Sequence, residues 1–340
     1  HVAGKIAIGE GLPFLDMKAM LRSIAVEYDR MTIVLISSRQ DPVDLWREAL
    51  AMEMPELEVR AYPDYGDPAE VDYALVYWPP HGLIASLPNV KAVLSIAAGC
   101  DHILADPQLP PELPIVRMVD DYLAAMMAEY AVYGVLHFHR DMHFYRREQL
   151  AGRWSRGWPL YTPDTAVGIL GLGAIGGVCA AKLGALGFQV HGWSRGPKSV
   201  AGVTCHHGAG GLLAMAAQCR FLVCVLPLTE QTQGIIDARL LAAMPQGGFI
   251  INIARGGHLV DDDLLVALDS GQLGGVFLDV YNEEPLPLNH SYWRHDKVWM
   301  TPHVAGELVP RSCAKSVAAN IRRMEAGRSV PDLLDKVRGY

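Results

Sequence analysis

The chain has 340 residues, which at about 100 to 200 residues per domain points to two domains and excludes a single small module. Hydrophobic residues make up 51% and charged residues 19%, a balance that fills ordinary globular cores and excludes a disordered composition. Lys plus Arg is 29 against 37 for Asp plus Glu, a net charge of -8, so no basic surplus exists to neutralise a nucleic acid, while a local basic pocket for one small phosphate is compatible with it.

Residues 1–30 lack the ordered basic start, apolar block and cleavage site of a signal peptide. A strand-like run begins directly after Met31, so the natural fold is expected to start there, with residues 1–30 an extension or remnant. From Met31 short apolar runs alternate with amphipathic stretches: MTIVLIS, DLWREALAM, LEVRAYP, YALVYWP and KAVLSIAAG. That alternation predicts parallel strands with crossover helices. Residues 124–150 follow as one long proline-free helical pattern, ending at the Gly152, Gly157 and Pro159 punctuation.

A second series starts with AVGILGLG, continues through a small-residue segment at 174–186, then FQVHGW, RFLVCVLPL, GFIINIA, GVFLDV and VWMTPH. These near-continuous apolar runs suit strands covered on both faces. The most apolar stretch, 212–228, is interrupted by Gln218, Cys219 and Arg220 and reads as a helix end entering a strand, not as a membrane span. A last helical pattern covers 312–325. The expected fold class is α/β, two doubly wound parallel-sheet domains, with a Rossmann cofactor domain (128–307) inserted in a flavodoxin-like substrate domain (31–127 and 308–340). The cysteines Cys100, Cys179, Cys205, Cys219, Cys224 and Cys313 are scattered, without a C-x-x-C pair or zinc-type spacing, so reduced thiols, a cytoplasmic setting and no metal site are expected.

Gly171, Gly173 and Gly176 form G-x-G-x-x-G between the strand AVGIL and the small-residue helix. The first glycine permits the tight turn, the second lets backbone approach a pyrophosphate, and the third allows the helix to pack on the strand. Backbone amides and the helix N-terminus then attract an anion without any cationic side chain. The second strand of the unit ends in Ser194 and Arg195, with Lys198 close behind, where sites for NAD carry a carboxylate. A guanidinium and an ammonium suit a 2′-phosphate, so NADPH is expected in preference to NADH, with NADH possible. Three further polar residues, Arg255, Glu284 and His303, follow successive strands, where ligands of open parallel sheets collect.

With these positions goes a resemblance. The segments G-I-L-G-L-G-A-I-G (168–176), L-P-L-T (226–229), N-I-A-R-G-G (252–257), L-D-V-Y-N-E-E-P-L-P (278–287) and T-P-H-V-A (301–305) resemble the D-isomer-specific 2-hydroxyacid dehydrogenases from Met31 onward. Within that family Y-A-L-V-Y-W-P-P (73–80), W-S-R (193–195) and the closing R-G-Y (338–340) look most like the bacterial branch that reduces glyoxylate and hydroxypyruvate. The resemblance implies that Arg255 grips the substrate carboxylate and keto oxygen, that His303 protonates the carbonyl oxygen as hydride arrives, and that Glu284 pairs with that imidazole. A planar fork suits paired oxygens, and a carboxylate beside an imidazole favours its proton-donating form. Glu283 is a rival for that role, but the family pattern places the acid directly before Pro285.

The resemblance also implies substrate contacts from Ala98 and Gly99. Beyond the glycine loop with Ala174 and Ile175, it implies cofactor contacts from Leu226, Pro227, Ala254, Arg255, Asp279 and His303. Asp279 orients the nicotinamide or, alternatively, caps neighbouring backbone amides. Trp78 is a suspected substrate contact; Trp154 and Trp158 read rather as packing residues. The implied partners are a small 2-keto acid and a second copy of the chain, docked through the cofactor domain at the helix after Met127; neither nucleic acid nor membrane is expected. The readings left open are another dehydrogenase of the family, broad or phosphoglycerate-type, and a non-catalytic dinucleotide sensor.

Overall fold

The computed structural model describes residues 31–38, 42–336 and 338–339; the expected extension at 1–30 lies outside the described residues. Strands β1 (Met31–Ser37), β2 (Leu57–Ala61), β3 (Tyr73–Tyr77), β4 (Ala92–Ser95) and β5 (Ile115–Val116) form a parallel sheet in the order β2-β1-β3-β4-β5. Because side chains alternate across a strand, the unbroken apolar run of β1 feeds two cores at once. Ile33 and Leu35 join Trp46 and Leu50 of helix α1 (Val43–Glu53) on one face, while Val34 and Ile36 join Val76, Ile84 and Val93 on the other. Each such fully buried aliphatic side chain contributes about 1.5–3 kcal/mol.

After the short helix α2 (Asp101–Leu104) and β5, the chain enters α3 (Asp121–His139) and α4 (Met142–Leu150). The single helix expected over 124–150 is therefore two. It begins earlier because the Asp120 carboxylate accepts from the amides of Tyr122 (2.6 Å) and Leu123 (3.1 Å). It breaks at Asp141, whose φ of 51° is left-handed, a conformation that a short polar side chain tolerates.

The second sheet contains β6 (Ala166–Leu170), β7 (Gln189–Ser194), β8 (Thr204–His207), β9 (Phe221–Cys224), β10 (Gly248–Asn252), β11 (Leu273–Leu278) and β12 (Val298–Met300), all parallel, in the order β12-β11-β10-β9-β6-β7-β8. Chain order reverses between β6 and β9, which opens the crevice where such sheets take ligands. Ala128, Ala131, Val135 and Phe138 of α3 and Cys179 and Leu183 of α5 (Ala174–Ala185) cover one face. Residues of α6 (Gly208–Ala216), α7 (Ala238–Ala243) and α8 (Asp261–Asp269) cover the other. Strand β8 has no counterpart in the apolar pattern, because TCHH is a half-exposed edge with polar residues on both sides.

Helix α9 (Pro310–Glu325) then returns to the first sheet, where Cys313, Val317 and Ile321 pack with Ile33 and Trp46. The second sheet is thus inserted within the first unit, and both sheets point the carboxyl ends of their strands at a shared cleft. Among the described residues, no helix is long and apolar enough to cross a membrane.

Candidate active site

The glycine turn is shaped by its own backbone. Gly171 has a φ of 103°, a left-handed conformation that side chains rarely adopt. A Cβ on Gly176 would stand 1.8 Å from the carbonyl oxygen of Gly171, directly after β6, so the missing side chain lets α5 lie this close to the end of the strand. A Cβ on Gly173 would meet nothing within 4 Å, so the space over it is open to a ligand. At the end of β7, Ser194 is tied to the Gly196 carbonyl (2.8 Å), Arg195 donates to Gln231 (3.3 Å), and Lys198 donates to the Leu172 carbonyl (2.8 Å). Lys198 is thereby folded back onto the glycine turn, and the segment that ends β7, residues 194–198, contains no acidic residue.

Arg255 follows β10, in a loop braced from below. Asn252 donates to the Arg255 carbonyl (3.0 Å) and accepts from the Ala254 amide (3.2 Å). His258, fully buried, bridges the carbonyls of Arg255 (3.1 Å) and Pro227 (3.2 Å) and so joins this loop to the one after β9. Burial alone disfavours charge on His258, but Cys224 and the two carbonyls outweigh it and raise its pKa. A Cβ on Gly256 would lie 1.9 Å from the backbone of Tyr281, so Arg255 is seated against the loop that carries Glu284.

The Arg255 guanidinium reaches across to the first sheet: its Nε lies 3.2 Å from both carboxylate oxygens of Asp101, and its Nη1 donates to the Ala254 carbonyl (2.8 Å). A Cβ on Gly99 would stand 2.5 Å from its Nη2, so the absence of a side chain at Gly99 admits the arginine. Neighbouring Cys100 is no nucleophile at neutral pH, since burial pushes its thiol to about 11.

His303 follows β12 and faces Glu284, with Nδ1 to Oε2 at 2.7 Å. Burial raises the Glu284 pKa, but the hydrogen bonds from His303 and the Tyr281 amide more than offset it, so the carboxyl stays below its usual value. His303 has a φ of 56°. That turn is held by Asp279: its carbonyl accepts from the His303 amide (2.8 Å), Oδ1 from the Thr301 hydroxyl (2.7 Å) and the Val304 amide (2.8 Å), and Oδ2 from the Ala305 amide (2.8 Å). Burial raises the Asp279 pKa, and those hydrogen bonds offset it only in part. The amide-capping reading of Asp279 therefore describes its contacts.

Two adjoining spaces connect these groups. Arg255, Asp279, His303, Tyr77 and Ala97 line a cavity of about 60 Å³. Arg255 also lines a cleft of about 500 Å³, together with Ala98, Gly99 and Asp101 from the first sheet. From the second sheet the cleft takes the glycine turn with Ala174 and Ile175, then Ser194, Arg195 and Lys198, and Leu226, Pro227 and Ala254. Trp78 lines neither space; it is half-exposed and stacks on His102, 5.4 Å between ring centroids. Trp154 and Trp158 are 98% and 94% exposed, so neither packs within this chain. Asp101 and Arg117 also line the cleft but were not singled out in the sequence, because only the approach of the two sheets brings them there.

The profile described as "D-isomer specific 2-hydroxyacid dehydrogenase, NAD binding domain" matches residues 132–305. A glyoxylate/hydroxypyruvate reductase A of Serratia proteamaculans is 39% identical over 300 residues, 87% of this chain and 96% of that protein. The chain belongs to the D-isomer-specific 2-hydroxyacid dehydrogenases.

Solved structures of the family agree in fold. A D-isomer-specific 2-hydroxyacid dehydrogenase of Xanthobacter autotrophicus, in complex with NADPH and MES, has a TM-score of 0.88 at 40% identity, covering 92% of this chain and 100% of that one. An NADPH-dependent glyoxylate/hydroxypyruvate reductase of Sinorhizobium meliloti, in complex with NADP and sulfate, has a TM-score of 0.85 at 35% identity, covering 91% and 100%. The family match runs from within α3 to Ala305, so the glycine turn, Arg255, Glu284 and His303 all fall inside it.

Proposed function

We propose that this dehydrogenase reduces small 2-keto acids, glyoxylate and hydroxypyruvate first, to D-2-hydroxy acids with NADPH. The observation that carries the reading is that Arg255 and His303, an anion grip and a proton donor, line one small cavity that opens onto the glycine-turn cleft. The names of the Serratia and Sinorhizobium relatives point to the same substrates, and the ligands of the Xanthobacter and Sinorhizobium structures to the same cofactor.

The cleft suits a dinucleotide: Gly173 leaves room over the turn, and Arg195 and Lys198 stand where a 2′-phosphate is held in such sites. When bound there, NADPH supplies the hydride. Arg255 holds the substrate carboxylate and keto oxygen, with the backbone at Ala98 and Gly99 facing the same space. His303 delivers a proton to the carbonyl oxygen, and Glu284 fixes the ring through Nδ1, which leaves Nε2 for the substrate. The cavity of about 60 Å³ favours compact acids. Arg255, Glu284 and His303 standing together favour catalysis over a sensor of the same fold.

NADPH oxidation across glyoxylate, hydroxypyruvate, pyruvate and phenylpyruvate tests the reading. Inertness toward all four sinks the enzyme assignment, and a higher kcat/KM with NADH sinks the cofactor preference.

The proposal extends to organisation. Residues 31–127 and 308–340 form the substrate domain and 128–307 the cofactor domain; packing of Cys313 with Ile33 and of Ala128 with Val167 supports that division. Six unpaired thiols support a cytoplasmic setting. A homodimer through the cofactor domain is supported by exposed Tyr133, Met142, Leu150, Trp154 and Trp158 along α3, α4 and the loop that follows. Light scattering on the double variant W154S/W158S is expected to show a monomer where the parent chain is a dimer.

A further inference from the structure

The segment after α9 does not stop at the substrate domain. The Asp332 carbonyl accepts from the Arg117 amide (2.9 Å), the Leu334 amide donates to the Ile115 carbonyl (2.8 Å), and Lys336 Nζ donates to the Pro110 carbonyl (3.3 Å). These bonds fix the segment along the edge strand β5. Beyond them the chain turns at Asp335, whose carbonyl accepts from the Gly339 amide (2.8 Å), and its tip enters the cofactor cleft. A Cβ on Gly339 would touch Thr229 Cγ2 at 3.4 Å, and Thr229 neighbours Gln231, the partner of Arg195.

Arg338 therefore lines the same cleft as Arg195 and Lys198. Among the described residues, the cleft walls hold the cations Arg117, Arg195, Lys198, Arg255 and Arg338 and the carboxylate of Asp101. An ion pair with Asp335 (3.2 Å) engages Arg338 through Nε, one of the five donors of a guanidinium. We propose that Arg338, presented by the substrate domain, binds a phosphate group of the dinucleotide held by the cofactor domain. Through it cofactor binding ties the two domains together at their outer edge, away from the reacting atoms. This inference rests on the proposed use of a nicotinamide dinucleotide.

The test is fluorescence titration of the whole chain with NADPH and with NADH, without substrate, for the parent and for R338Q and R338K. Arg338 is exposed, and an exposed ion pair is worth up to about 1 kcal/mol, so R338Q is expected to weaken binding about 5-fold while R338K stays within about 2-fold of the parent. A loss confined to NADPH assigns the 2′-phosphate, and an equal loss for both cofactors assigns the pyrophosphate; either supports the proposal. Unchanged affinity of R338Q for both overturns it. A parent chain that binds neither dinucleotide overturns the cofactor reading itself, an outcome visible before any variant is compared.

Discussion

Arg255 and Asp101 stand 154 positions apart, yet the guanidinium Nε lies 3.2 Å from each oxygen of the carboxylate, bridging the cleft between the two sheets. The contact sets the roll of the guanidinium: Nε faces Asp101, Nη1 faces the Ala254 carbonyl, and Nη2 faces Gly99. Removing the carboxylate frees that roll. Asp101→Ala is expected to raise KM for a 2-keto acid about 10-fold, the scale of one charge-assisted hydrogen bond, with a smaller change in kcat. Steady-state kinetics at saturating cofactor check this, and an unchanged KM would remove Asp101 from substrate positioning.

Arg255→Lys keeps the charge and loses the fork. A lysine can neither reach Asp101 through a planar edge nor present paired donors to a carboxylate. The expected fall in kcat/KM is about 100- to 1000-fold, the cost of losing one donor at a developing charge. Near-normal activity in this variant would show that charge alone is sufficient.

His303→Ala removes the proposed acid and leaves the cofactor cleft intact. Loss of general acid catalysis lowers kcat about 100- to 10,000-fold. Binding of NADPH, followed by its fluorescence, is expected to stay within about 2-fold, because charge-assisted contacts to the phosphates are untouched. Turnover unchanged from the parent would eliminate His303 as proton donor.

The depressed pKa of Glu284 makes a pH prediction. A carboxyl whose folded pKa lies below its unfolded value of 4.5 binds fewer protons in the folded state between the two. Its stabilisation is fully present above 4.5 and is lost as pH falls through the folded value. Glu284→Gln should therefore lower Tm at neutral pH and flatten its decline in the acid window below 4.5. Parallel Tm curves for the two proteins would contradict this linkage.

The glycine turn separates folding from binding. Gly176→Ala forces a Cβ against the Gly171 carbonyl and is expected to cost about 1–3 kcal/mol, seen as a lower Tm without any ligand. At Gly173 the added methyl meets nothing, so Gly173→Ala should keep its Tm and lose affinity for NADPH. Equal Tm losses in both variants would refute the distinction.

Much of the site was legible in the chain because its devices are local. The glycine turn lies within 171–176, and the polar residues at 255, 284 and 303 each follow an apolar run that ends at the same edge of a parallel sheet. Apolar alternation marks such runs wherever both faces are covered, and fails where they are not. Strand β8 was illegible for that reason, and the break at Asp141 because one left-handed residue leaves no trace in a helical pattern.

The positions of Trp78, Asp101 and Arg338 belong to another level. Residue type could not show that Trp78 would stack on His102 outside the cavity, or that Asp101 would meet Arg255. Nor could it place Arg338 at a cleft whose floor is built more than a hundred residues earlier. Short-range geometry follows from which backbone conformations each residue tolerates. Contacts across the cleft depend on how two separately packed cores come to rest against each other, and that is a property of the folded surfaces as wholes.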